Sequence, residues 1–180
     1  MVVEQHFGVY GAWTQDGRIV TVRKARGPYT GWLDLPGGRP DAGESLLAAL
    51  QRELMEECGI RPAAVRSWHP FRFAVTKASD GRPIEFDHRG HVALLAPDGR
   101  VRRVRHVEDV AAVELLDLEH RSERVSPPLA FAIDLIKQSS GPATSSRAVG
   151  NSESEEDYGD PDAAGRSSRV DAGRPPTESG

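Results

Sequence analysis

Apolar and polar positions divide the first 138 residues into strands and two helices. Residues 6–14 and 18–24 are rich in β-branched and aromatic types and are joined by Gln15-Asp16-Gly17, which predicts an antiparallel pair. Glu44 to Cys58 contains neither Gly nor Pro, and Leu47, Leu50, Leu54 and Cys58 recur at helical spacing. The spacing predicts a helix with those four residues on its buried stripe and Gly59 at its C-terminal cap. Further strands are expected at 65–76, 82–88, 91–96 and 110–116. A second amphipathic helix is expected over Pro127–Lys137, its proline pair falling in the first turn, where a missing N–H costs nothing. Between 29 and 43, Gly31, Gly37, Gly38 and Gly43 with Pro36 and Pro40 predict a loop of special backbone geometry. Strands around a central helix with another helix at the end predict a mixed sheet covered on both faces.

The pattern stops near Ser139. Residues 139–180 contain no Leu, Ile, Phe, Met or Trp but 9 Ser, 6 Gly and 4 Pro, too little apolar surface to offset the entropy of ordering. The division expected is therefore a globular domain over 1–138 and a disordered tail over 139–180. The tail holds 8 of the 27 acidic residues and 4 of the 23 basic ones, so the acidity of the chain lies there and residues 1–138 are formally neutral. With no basic excess, general nucleic-acid or anionic-membrane binding is not expected, and no apolar run is long enough to span a bilayer. The N-terminal segment lacks the pattern of a secretory signal, and the single cysteine, Cys58, permits no internal disulfide; both lead to the expectation of a cytoplasmic protein.

Chemistry concentrates on the central helix. Glu53, Glu56 and Glu57 form a stripe flanking the apolar seam, and like charges at i,i+3 and i,i+4 cost a few tenths of a kcal/mol per pair. Arg52 offsets only part of this charge. A hard divalent cation such as Mg²⁺ complements such a stripe, because it is bound through carboxylate oxygens and takes phosphate oxygens as further ligands. A solvated acidic face is the bland alternative. Asp87, His88 and His91 lack the spacing of a transition-metal site. Cys58, on the apolar stripe, is read as a core residue, as are most of the aromatic side chains.

The register of the whole segment decides between these readings. Gly38, five residues, Glu44, seven residues, then Arg52-Glu53-Leu54-Met55-Glu56-Glu57-Cys58-Gly59-Ile60 matches at every position the signature G-x5-E-x7-R-E-U-x-E-E-x-G-U of the Nudix hydrolase family, where U is bulky and aliphatic. The chain thus resembles that family over residues 32–60 specifically and over 1–138 more weakly. The resemblance implies an α/β/α sandwich and a pyrophosphohydrolase dependent on Mg²⁺ or Mn²⁺, cutting the P–O–P linkage of a nucleoside diphosphate joined to a moiety X or of a nucleoside triphosphate. It also implies metal ligation by Glu53, Glu56, Glu57 and the Gly38 carbonyl, substrate approach over Gly37 and Gly38, and orientation of the glutamates by Arg52. Glu44 would tie loop to helix at one end of the motif, Gly59 would be structural at the other, and Glu56 or Glu57 would act as general base. Glu108 and Asp109 stand where members often add an acidic ligand or base. The alternatives are a sanitising triphosphatase that releases pyrophosphate and a non-catalytic nucleotide sensor. The expected partner is a small nucleotide substrate, with a homodimer left open.

Overall fold

The computed structural model describes residues 3–101, 109–119 and 124–140. Its elements are β1 (Glu4–Ala12), β2 (Thr14–Gln15), β3 (Arg18–Lys24), β4 (Leu33–Asp34), β5 (Gly37–Gly38), α1 (Leu46–Cys58), β6 (Arg61–Lys77), β7 (Pro83–Asp98), β8 (Val110–Asp117) and α2 (Pro127–Ser140). One sheet is mixed, in the order β5-β1-β7-β6, with β1 and β7 parallel and the other pairs antiparallel. The second sheet is antiparallel: β3 pairs with β2, β4 and β8.

The expected pairing of 6–14 with 18–24 is corrected here. The chain breaks at Trp13, so only Thr14–Gln15 folds back on Arg18–Ile19, around Asp16 and Gly17 at φ 54° and 75°. β1 instead lies between β5 and β7. Its continuous apolar run suits a strand buried on both faces better than an exposed hairpin. The strands expected at 82–88 and 91–96 are one strand, β7, paired with β6 along most of its length.

Two apolar cores lie on opposite faces of the strands. Val9, Val20, Val22, Ala93 and Leu95 pack with Leu50, Leu54 and Cys58 of α1. Tyr10, Ile19, Val92 and Leu116, displaced by one residue in strand period, pack with Leu129, Ala132 and Ile136 of α2. Strands between two helices form the expected α/β/α sandwich. Helix α1 begins at Leu46 rather than Glu44 because Ser45 caps it, its hydroxyl accepting from the Ala48 N–H at 3.2 Å. It ends as predicted on Gly59, left-handed at φ 65°, whose N–H donates to the Met55 carbonyl at 3.1 Å. Leu47, expected on the buried stripe, is 45% exposed; Ala49 takes its place in the core, which turns the inward face toward Glu53 and Glu57. Cys58 is buried and free.

Helix α2 runs three residues past Lys137 and includes Ser139 and Ser140. The remainder of the expected tail, 141–180, lies outside the described residues, as does Glu108. Among the described residues no helix is long and apolar enough to cross a membrane.

Candidate active site

Gly37 and Gly38 are held as a short strand against β1, Gly37 opposite Tyr10 and Gly38 opposite Val9, while the Gly11 N–H donates to the Pro36 carbonyl. A Cβ is blocked by backbone at Gly37 and would displace a side chain at Gly38. At φ 138°, a Cβ on Gly37 would stand 2.2 Å from the Val9 carbonyl oxygen, and one on Gly38 would stand 2.5 Å from Oε1 of Glu53. Helix α1 therefore brings the Glu53 carboxylate directly onto the backbone of the turn. Four residues on, Glu57 is 3% exposed and its Oε2 accepts the Gly37 N–H at 2.8 Å. The turn and one face of the helix thus form a single unit with two carboxylates lodged against it.

Arg52 binds that unit together. Its guanidinium donates to both oxygens of Glu44, at 3.1 and 3.0 Å, to Glu53 Oε1 at 2.8 Å, and to the Arg39 carbonyl at 3.1 Å. Glu44 in turn accepts the Asp41 N–H at 2.9 Å. This forked geometry spans loop and helix as a lysine could not. Its bonds to Arg52 hold the Glu44 carboxyl below its usual pKa. Glu56, half-exposed, stands 3.7 Å from Arg52 Nη1.

The acidic groups differ sharply in environment. Burial pushes the Glu57 carboxyl up to about 8, against the opposing Gly37 N–H and the charge of Lys24. Burial also raises Glu53, against Arg52 and Lys24. Two carboxyls whose charged form is disfavoured by burial, beyond what Arg52 and Lys24 offset, are a donor set that fits a hard divalent cation. The Gly38 backbone is approached so closely by Glu53 that a Cβ there would fill the gap beside its carboxylate. The three glutamates do not yet converge: among the described residues no three acidic, histidine or cysteine side chains are grouped as a ready metal cage. Glu57 is engaged by Gly37, Glu53 by Arg52, and Glu56 faces outward.

Beside this unit lies a cavity of about 350 Å³ whose lining includes Lys24, Tyr29, Asp34, Phe86 and His88. Lys24 connects the two regions, close enough to lower the pKa of Glu53, Glu57 and Asp34. It follows a β-bulge between Arg23 and itself. Asp34 is buried, and its Oδ1 accepts the Leu35 N–H and the Ser126 hydroxyl. Asp109, expected near the acidic stripe, pairs with Arg26 at the rim of this cavity. The motif left this half of the site unseen, because its side chains come from β1, β3, β4, β7 and the loop at Tyr29. The sequence carried one local signal, a lone acidic residue, Asp34, inside the apolar stretch Trp32–Pro36.

Solved structures share this fold. The MutT NUDIX hydrolase of Burkholderia pseudomallei superposes with a TM-score of 0.54 at 24% identity, covering 73% of this chain and 97% of that one. The MutT protein of Methanosarcina mazei superposes at 0.58 and 19% identity, covering 77% and 97%. The NUDIX domain of Shewanella oneidensis NrtR, complexed with ADP-ribose, superposes at 0.55 and 16% identity, covering 77% and 89%. In sequence, an ADP-ribose pyrophosphatase of Methanocaldococcus jannaschii is 35% identical over 54 residues, 30% of this chain. That match spans about a third, 32%, of the relative's length. The NUDIX domain family model matches residues 4–130, most of the chain, and with the motif geometry above it establishes that the chain belongs to the Nudix family of hydrolases, which act on phosphorus-containing anhydrides.

Proposed function

We propose that this protein is a divalent-metal-dependent pyrophosphohydrolase that cuts the P–O–P linkage of a nucleoside diphosphate joined to a second moiety. The observation that carries this reading is the lodging of Glu53 and Glu57, one helical turn apart, against the Gly37–Gly38 backbone, with Arg52 fastening the assembly. The partial match to an ADP-ribose pyrophosphatase supports the substrate class. Glu53, Glu56, Glu57 and the Gly38 carbonyl would hold Mg²⁺ or Mn²⁺. When bound, such an ion polarises bridging phosphates and acidifies water.

The chain's own groups do the rest. Arg52 orients Glu53 and locks the loop through Glu44. Lys24 sets a positive charge between the carboxylates and the cavity, where the phosphates of a substrate spanning both would lie. Glu57, whose Oε2 accepts the Gly37 N–H, would take a proton from attacking water in its ionised form, which a bound cation favours over the burial that otherwise keeps it protonated.

Glu57→Gln preserves shape and removes that capacity. Its metal-dependent turnover of nucleoside diphosphate sugars and ADP-ribose should fall by a factor of about 10² or more. Near-full activity in the variant would remove Glu57 from the mechanism. Product analysis separates the proposed cut, which yields two phosphorylated products, from release of inorganic pyrophosphate by a triphosphatase.

A further inference from the structure

The cavity next to the carboxylates contains a directional chain of hydrogen bonds. Arg39, on the motif loop, places Nη2 3.4 Å from His6 Nδ1. His6 Nε2 lies 3.1 Å from the Tyr10 hydroxyl, which lies 2.9 Å from His88 Nε2. His88 Nδ1 lies 3.0 Å from the Tyr29 hydroxyl. A guanidinium only donates, so His6 Nδ1 is the acceptor and a neutral His6 carries its proton on Nε2. That proton goes to the Tyr10 oxygen, and the Tyr10 hydrogen goes to His88 Nε2. His88 must then carry its own proton on Nδ1 and give it to the Tyr29 oxygen. Burial keeps both imidazoles neutral at physiological pH, His6 near 4 and His88 near 3, as this requires.

The last hydroxyl is the consequence. Tyr29 is 4% exposed and lines the cavity. Its oxygen accepts from His88, and among the described residues its hydrogen has no other partner. The opposite polarity would turn that hydrogen back onto His88 and leave the cavity an acceptor. We propose that Tyr29 is a specificity-determining hydrogen-bond donor for an acceptor atom, a ring nitrogen or carbonyl oxygen, on the nucleobase of the substrate, and that Arg39, His6, Tyr10 and His88 are the positioning residues that set its direction. This deepens the pyrophosphohydrolase reading and rests on it for the substrate. The aromatic walls are suited to a flat ring: Phe86 meets Tyr29 edge-on at 6.2 Å, and Trp32 stacks behind Tyr29 at 6.1 Å.

The relay is tested first without substrate. A long-range ¹H–¹⁵N correlation on the full chain should show His88 neutral with its proton on Nδ1 and His6 with its proton on Nε2; His88 protonated on Nε2 overturns the proposal. Specificity is tested by calorimetry with AMP, GMP, CMP and UMP against ribose 5-phosphate, which keeps the phosphate and lacks the ring. Tyr29→Phe, which retains the ring and spares the core, should weaken the best nucleotide about fivefold while leaving ribose 5-phosphate within about twofold. His6→Phe should weaken it less, and the double variant should be no weaker than Tyr29→Phe alone. Failure of all four nucleotides to bind, an unchanged affinity in Tyr29→Phe, or an equal loss for ribose 5-phosphate overturns it. These readouts need no turnover, so an inactive protein that binds as expected would sink the enzymatic reading and leave the donor assignment standing.

Discussion

Glu57 is a carboxyl whose position in the fold opposes its charge. It is 3% exposed, and its pKa rises from the ordinary 4.5 to about 8. Between those values the unfolded chain is ionised at this residue while the folded chain holds the proton, so the folded state binds more protons and loses stability as pH rises. In metal-free buffer the wild type should therefore become less stable from pH 4.5 to 8 relative to Glu57→Gln, by a few kcal/mol in total. Urea unfolding of both proteins at a series of pH values measures the difference, and a difference independent of pH would contradict the burial-driven shift. Neighbouring Glu53 is raised for the same reason but retains Arg52, whereas Glu44, bound twice by Arg52, is lowered. A single arginine thus divides its charge unequally, and what remains uncompensated on Glu53 and Glu57 is where a cation is favoured.

Two adjacent glycines in one short element have separate jobs. The clash at Gly37 is with backbone, the Val9 carbonyl oxygen, which cannot move without breaking the β1–β5 pairing. The clash at Gly38 is with the end of a side chain, Glu53, which can swing aside. Gly37→Ala should cost about 2–3 kcal/mol of stability, the scale of a strained, overpacked position. Gly38→Ala should cost far less stability and displace Glu53, lowering turnover with a modest change in melting temperature. Equal stability losses in denaturant titrations of the two variants would refute this division. At the same scale, helix α1 was legible in advance from Leu50, Leu54, Cys58 and the cap at Gly59, because local periodicity and capping are encoded within a turn or two. Leu47 was misplaced because four leucine-like positions fit a wheel equally well, and only contact with the strands selected Ala49 over it. The hairpin at 6–24 failed for a related reason: the Asp16-Gly17 turn is real, but the turn does not determine how far its strands pair.

The layered molecule buries two cores from one set of strands, alternate residues of β1 such as Val9 and Tyr10 serving α1 and α2 respectively. Among the described residues neither core draws on any beyond Ile136, and α2 ends at Ser140. Residues 141–180 carry too little apolar surface to join a core, so removing them should leave the melting temperature within about 2 °C and turnover unchanged. A large loss of either would assign the acidic segment a part in the fold or in the reaction, against its composition. The motif and its helix were written in the chain because spacing along one helix and one turn is a local property, and their charges could be read directly. The cavity, the neutral histidines and the direction of the relay to Tyr29 were not, because His6, Tyr10, Tyr29, Asp34 and His88 are neighbours only after β1 inserts beside β7 and buries them. Burial and hydrogen-bond polarity depend on what surrounds a group in space, and that came into being with the tertiary fold.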